Sequence, residues 1–198
     1  MIQALLRELY ATSAPEFVAV GLGVIYVLLI LKRRRLGWLA GAASSMIYVY
    51  LSARAQLPMQ SALQIYYVGM AAYGWHNWTR AAQEPSQGIA QWPLRKHVLA
   101  LLLIALLSAV TAQWLRRETH AAWPYLDSLT TWVSLFATWL LARLKRENWL
   151  YWIAADSVSA YLFAAQGYAF TAALFLTYVV VAVFGWREWS HKYRLQTG

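Results

Sequence analysis

Few polar side chains fall inside the long apolar segments of this chain, and Asp156 is the most unusual of them. Trp152, Asp156 and Ser159 are spaced at i, i+4 and i+7, which places them on one face of a helix. If that helix crosses a bilayer, an acidic side chain there marks a functional site by default. Asp156 could contact a cationic ring, serve as a protonatable group for ion coupling, or act as a structural carboxylate bonded to a neighbouring hydroxyl.

A second stripe, formed by Gln60, Gln64 and Tyr67, has the same spacing. Phe175 and Tyr178 lie on the equivalent face of the second copy, so amides and aromatic rings are combined. Such a mixture suits a flat heteroaromatic ligand, because rings stack on it and amides fix its orientation. Ordinary helix packing explains any single Phe or Tyr equally well, but an amide such as Gln64 needs partners in hydrocarbon. The predicted substrate-binding residues are Gln60, Gln64, Tyr67, Trp152, Asp156, Ser159, Phe175 and Tyr178.

The chain contains an internal duplication. Residues 37–78 align with residues 148–189 at an offset of 111 without a gap, and both segments end in Gly-Trp-x-x-Trp. The register extends upstream, where the basic run 32–35 falls on 143–146. A repeat of this length must be interpreted before any single motif.

The tryptophans of the repeated motif are Trp75 and Trp78 in the first copy, and Trp186 and Trp189 in the second. They fall at the predicted cytoplasmic ends of their helices, where tryptophan favours the membrane interface. The repeated glycine and identical spacing also fit a paired constriction, so we predict that these four residues form a gate.

Two acidic residues, Glu16 and Asp127, are equivalent by repeat, and both lie near the outer ends of their predicted helices. They could attract a cation to an outer vestibule, or they could simply favour the positive ends of helix dipoles.

Composition places the chain among membrane proteins. It is 61% hydrophobic and only 13% charged, whereas charged residues make up about 25% of a soluble domain. The net charge is +9, and the basic residues lie between apolar segments, so they indicate membrane topology and not nucleic-acid binding. No cysteine, no phosphate-binding glycine loop and no ligand spacing among the four histidines are present, so we expect no cofactor and no metal.

Seven apolar segments are long enough to span a bilayer as helices. The predicted spans are 15–31, 37–53, 59–78, 97–114, 124–144, 148–165 and 168–189. Lysine and arginine concentrate in alternate connections, which predicts an external N-terminus and a cytoplasmic C-terminus.

The repeat restarts four spans later, so both copies cross the membrane in the same direction, as parallel repeats. We expect an all-α polytopic membrane protein whose residues 1–198 form one membrane domain. Residues 15–80 and 124–190 would be the two three-helix repeats, and residues 97–115 would be the linker helix between them.

Several motifs resemble those of the PnuC-type vitamin transporters, which share a 3+1+3 plan with the SWEET sugar transporters. They are Glu-Asn-Trp-Leu-x-Trp at 147–152, Gln-Gly at 166–167, Gly-Trp-His-Asn-Trp at 74–78 and Asp-Ser at 127–128. The resemblance implies facilitated diffusion of nicotinamide riboside across the bacterial inner membrane, with trapping by a cytoplasmic kinase that phosphorylates the vitamin. It also implies a homotrimer that is surrounded by membrane lipid. The substrate site of such a transporter would lie centrally and would include Gln64, Trp152 and the position of Asp156.

Asp156 departs from the asparagine found in nicotinamide riboside transporters of this family. A carboxylate suits a pyridinium cation and equally the thiazolium of thiamine, so thiamine or another cationic or aromatic vitamin is the alternative substrate. An intramembrane enzyme would need a cluster of His, Asp or Glu at one membrane face, and the sequence does not supply one. A non-transporting scaffold bundle predicts no polar stripe inside the membrane, whereas this chain has one. The sequence therefore favours a transporter and not an enzyme.

Overall fold

A computed structural model describes residues 14–54, 58–83, 88–118 and 123–197. Seven helices lie within these ranges, one for each predicted span. They are α1 (Ala14–Leu31), α2 (Leu36–Arg54), α3 (Pro58–Gln83), α4 (Leu94–Glu118), α5 (Pro124–Ala142), α6 (Asn148–Ala165) and α7 (Ala169–Thr197).

The chain divides into two compact units, residues 1–87 and 88–198. In the first unit, α2 packs against both α1 and α3. The Ser44 hydroxyl of α2 donates to the Ala19 carbonyl of α1 at 2.8 Å, and Ser52 of α2 shares a hydrogen bond with Ser61 of α3 at 2.8 Å. Hydroxyl groups thus join helices whose other surfaces are largely apolar.

In the second unit, each helix from α4 to α7 packs against the next. Small and branched side chains of α4, α5 and α6 form its core: Ile104, Val133, Ala137, Leu140 and Ala155 are all buried. Trp132 of α5 donates its indole N–H to the Thr111 hydroxyl of α4 at 3.0 Å. The predicted linker helix, α4, belongs to this second unit.

Among the described residues, four helical segments are long and apolar enough to cross a membrane: α1, α2, α4 and residues 171–197 of α7. The other helices, α3, α5 and α6, occupy predicted spans, but polar and aromatic side chains such as Gln64, Asp127 and Asp156 interrupt their apolar sequences. These polar and aromatic side chains lower their hydropathy, and they include most of the predicted site residues.

Two helices extend beyond their predicted spans into the connection between residues 79 and 96. The predicted end of the third span at residue 78 is wrong, because α3 continues to Gln83. The predicted start of the fourth span at residue 97 is also wrong, because α4 begins at Leu94. Hydropathy marks only the apolar stretch, whereas the helical hydrogen bonds continue through polar residues beyond it.

The turns after α1 and α5 have the same backbone conformation. Arg33 and Leu144, which are 111 residues apart, both adopt the left-handed region, with φ of 58° and 54°. The Gly37 amide donates to the Arg34 carbonyl at 3.0 Å, and the equivalent Asn148 amide donates to Lys145 at 3.1 Å. The 111-residue register therefore describes local structure as well as sequence.

Candidate functional site

The first copy of the Gly-Trp-x-x-Trp motif forms a compact aromatic cluster in the first unit. Trp78 packs edge-on against Trp38, with ring centroids 5.4 Å apart and an interplanar angle of 86°. Gly74 permits this approach, because a Cβ at that position would overlap atoms of the Trp38 indole ring. The Arg35 guanidinium lies 5.3 Å from the centroid of the Trp75 ring.

The second copy repeats this cluster in the second unit. Trp189 packs edge-on against Trp149 at 5.7 Å and 84°. A Cβ at Gly185 would overlap atoms of the Trp149 ring, and the Arg146 guanidinium lies 5.2 Å from the Trp186 centroid. We call the two sets, 35/38/74/75/78 and 146/149/185/186/189, the repeat clusters.

The repeat clusters give different environments to the four predicted gate residues. Trp78 and Trp189 are only 4% and 0% exposed, and each packs against a tryptophan at the start of the second helix of its own repeat. Trp75 and Trp186 are half-buried beneath arginine side chains. The second tryptophan of each motif thus stabilises its repeat, and the first is the more accessible of the pair.

Asp156 lies on α6 and is only 6% exposed. Among the described residues, no hydrogen bond or ion pair reaches its carboxylate. An isolated carboxylate is costly to bury, so it favours either a bound proton or a cationic partner. This is the strongest electrostatic feature among the predicted site residues.

Trp152 precedes Asp156 by one helical turn and packs against the core formed by α4, α5 and α6. Ser159 follows on the same helix and is half-buried. On α7, Phe175 stacks on Phe163 of α6 at 5.3 Å and contacts Tyr178 edge-on at 6.0 Å. Aromatic packing within the second unit therefore holds Phe175 and Tyr178 in place.

The remaining predicted binding residues belong to the first unit. Gln64 is half-buried on α3, and Tyr67 lies in edge contact with Tyr66 at 5.8 Å. Gln60 is on the same helix, but its side chain is outside the described part of the structure.

The predicted vestibule residues, Glu16 and Asp127, lie in the first turns of α1 and α5. A negative charge is favoured there by the helix dipole.

Sequence reasoning missed the burial of Glu147, which is 6% exposed although it lies in a short turn. Its Oε1 accepts a hydrogen bond from the Trp92 backbone amide at 3.2 Å. It also missed that His97 contacts Tyr151, with 3.0 Å between Nδ1 and the phenol oxygen. Position in the family-like motif at 147–152 was the available signal for Glu147, and none pointed to His97.

The part of the chain that the structure describes contains no group of three or more His, Cys, Asp or Glu side chains suited to hold a metal ion.

Comparisons with known proteins agree with the motifs. A family model described as nicotinamide mononucleotide transporter matches residues 13–191. The riboflavin/roseoflavin transporter RibM of Streptomyces davaonensis is 26% identical over 128 residues, which cover 62% of this chain and 59% of that protein. The nicotinamide riboside transporter PnuC of Escherichia coli is 25% identical over 165 residues, which cover 70% of this chain and 69% of that protein.

The crystal structure of the vitamin B3 transporter PnuC has the same fold, with a TM-score of 0.72 and 22% identity. The match covers 96% of this chain and 86% of that structure. The predicted all-α polytopic membrane fold is thereby confirmed, and the family is one of transporters, as the sequence predicted, and not of enzymes. The chain belongs to the nicotinamide mononucleotide transporter family, which includes the PnuC-type transporters that its motifs resemble.

Proposed function

We propose that the chain carries nicotinamide riboside across the bacterial inner membrane by facilitated diffusion, and that phosphorylation by a cytoplasmic kinase retains the vitamin inside. The observation that carries this proposal is the buried Asp156 carboxylate, which no described residue pairs. The named function of the Escherichia coli relative, a nicotinamide riboside transporter, supports the same substrate.

The chemistry of nicotinamide riboside fits this environment. Its pyridinium ring is a permanent cation, so it can neutralise a buried carboxylate without a proton transfer. Charge attraction is stronger at a site of low dielectric than in water. Trp152 lies one turn before Asp156 and offers an aromatic surface, which favours a cationic ring.

The two copies of the repeat differ at the positions of Trp152 and Asp156. Trp152 replaces Gly41 of the first copy, and Asp156 replaces Ser45. An asymmetric molecule such as a nucleoside needs different contacts at its base and its sugar. The copies keep the same residue types in the repeat clusters, where packing is the requirement, whereas Trp152 and Asp156 occur only in the second copy.

The other predicted residues take supporting roles in this proposal. Ser159 and the amides of Gln60 and Gln64 would bond the ribose or carboxamide, and Tyr67, Phe175 and Tyr178 would line the path. Trp75 and Trp186 would gate it, supported by Trp78 and Trp189, while Glu16 and Asp127 would draw the cation into an outer vestibule. The protein would work as a homotrimer with its N-terminus outside and its C-terminus in the cytoplasm.

Thiamine is the second candidate, because its thiazolium ring is also a permanent cation and the Asp156 carboxylate would suit it equally. Riboflavin, named for the Streptomyces relative, carries a neutral ring system and gains less from a carboxylate.

Calorimetry on the purified protein tests the proposal by comparing nicotinamide riboside, thiamine and riboflavin under the same conditions. The proposal expects the tightest binding for nicotinamide riboside. Tighter binding of thiamine would transfer the assignment to the second candidate, and binding of none of the three would remove the vitamin assignment.

A further inference from the structure

A cavity of about 350 Å³ lies between α4 and α6 within the second unit. Its apolar wall consists of Leu94, Leu101, Leu150 and Ala154. Leu94, Leu101 and Leu150 are 77%, 50% and 44% exposed, so this wall is open at the surface of the helices. An open apolar wall on membrane helices suits an amphiphile more than a water-soluble ligand.

Glu147 and His97 also line this cavity, and each carries a buried polar atom that lacks a hydrogen-bond partner. Among the described residues, none donates a hydrogen bond to Oε2 of Glu147, although Glu147 is more than nine-tenths buried. Nε2 of His97 is also buried without a hydrogen-bond partner. Such groups are costly in a folded protein unless something satisfies them.

The second atom of each side chain is fixed by the protein. Oε1 of Glu147 accepts the Trp92 amide, and Nδ1 of His97 is 3.0 Å from the Tyr151 hydroxyl. The His97 ring also stacks on Tyr151 at 5.9 Å and contacts the Trp92 ring at 5.6 Å. The unsatisfied atoms are therefore held rigidly, as a preformed binding site requires.

Cationic residues lie close to Glu147, and the Nε of Arg146 is 3.8 Å from Oε1 of Glu147. The Lys96 ammonium lies 5.5 Å from the centroid of the Trp92 ring. Lys145 stands two residues before Glu147, and burial, with the positive charges of Arg143 and Lys96, lowers the pKa of Lys145 while Glu147 opposes this effect. The region thus combines one carboxylate acceptor with several cations that repel one another.

We propose that this cavity binds a phospholipid whose headgroup carries a primary ammonium group. The ammonium would donate to Oε2 of Glu147, and the phosphate would neutralise Lys96 and Lys145. Nε2 of His97 would accept from the ammonium or donate to the phosphate, depending on its tautomer. One acyl chain would run along Leu101, Leu150 and Ala154.

The headgroup chemistry distinguishes this lipid from other phospholipids. Phosphatidylcholine has the same net charge, but its trimethylammonium group has no N–H to donate to Glu147. Phosphatidylglycerol has the phosphate and no ammonium. The proposal therefore predicts a preference for phosphatidylethanolamine over both, and it does not depend on which vitamin the protein transports.

Native mass spectrometry of the purified protein, supplied with each of the three lipids bearing identical acyl chains, tests this preference. We expect retention of phosphatidylethanolamine to exceed that of phosphatidylcholine by roughly tenfold, the effect of one charge-assisted hydrogen bond. Glu147→Gln should abolish the difference, while Glu188→Gln, on an exposed side chain paired with Lys192, should leave it unchanged. Equal retention by the wild-type protein, or an unchanged preference in Glu147→Gln, would overturn the proposal.

A second variant covers the case in which Glu147→Gln fails to fold. Ala154→Phe fills the apolar end of the cavity without touching Glu147 or His97, and Ala154 is exposed, so the fold should tolerate it. It should reduce phosphatidylethanolamine retention at least to the level of phosphatidylcholine. Free phosphoethanolamine should not compete with the lipid, and full competition would show that the site binds a soluble ammonium compound and not a lipid.

Discussion

The close packing of glycine against tryptophan in the repeat clusters predicts a reversal in the usual effect of a glycine-to-alanine substitution. In an exposed helix interior, this change normally stabilises by about 1 kcal/mol. At Gly74 the added methyl group would overlap atoms of the Trp38 ring, and Trp38 is only 2% exposed, so the ring has little room to move away. Overpacking of this severity costs about 3 kcal/mol, which leaves a net destabilisation of about 2 kcal/mol.

The matched control is on the same helix. A Cβ at Gly69 would meet nothing within 4 Å, so Gly69→Ala should be neutral or stabilising. In a thermal unfolding assay in detergent, Gly74→Ala should lower the midpoint by roughly 4–8 °C relative to wild type. The repeat-equivalent Gly185→Ala should behave like Gly74→Ala, because its Cβ would meet the Trp149 ring in the same way.

A double-mutant cycle identifies the cause of this destabilisation. Trp38→Leu removes the ring atoms that the new methyl group would meet, so Gly74→Ala should cost at least about 1 kcal/mol less in that background. If Gly74→Ala is as stable as Gly69→Ala, or if its cost is unchanged in the Trp38→Leu background, the account of the repeat clusters is refuted.

Three further predictions concern α6 and α7. Asp156→Ala should weaken nicotinamide riboside binding about ten- to hundredfold, because it removes the carboxylate that would pair with the pyridinium and leaves no polar group in its place; calorimetry measures this, and unchanged affinity would remove Asp156 from the site. Gly167→Ala should destabilise by about 1–2 kcal/mol, because Gly167 has a φ of 84° in the turn after α6, a conformation that strains any residue with a Cβ. The Cβ itself would meet nothing within 4 Å, so backbone strain would be the whole cost; an unchanged melting midpoint would contradict this. Glu188→Gln should change stability by less than about 0.5 kcal/mol, because its 3.0 Å ion pair with Lys192 is exposed; a larger shift in thermal unfolding would contradict it.

The repeat was the most informative feature of the sequence. Its 111-residue offset relates Trp38 to Trp149 and Gly74 to Gly185, and these residues make the same contacts in each unit. Helix positions were also predictable, because apolar segments of sufficient length have few alternatives in a membrane.

Contacts between distant polar segments were not predictable. The segment before α4 docks on the turn after α5 through backbone hydrogen bonds, from Ala90 to Leu144 at 2.9 Å and from Arg146 to Ala90 at 3.1 Å. Backbone pairing of this kind leaves no pattern in side-chain type. The burial of Glu147 follows from that docking, because the docked Trp92 amide donates to Glu147, so a residue expected in a solvated turn lies inside the protein.

The central claim is that the chain moves nicotinamide riboside across a membrane without an energy source. Vesicles containing the purified protein should accumulate labelled nicotinamide riboside to the external concentration and no further, with or without a proton gradient, and faster than protein-free vesicles. Entry at the same rate as in protein-free vesicles would contradict the claim of transport. Accumulation above the external concentration only when a gradient is present would contradict facilitated diffusion.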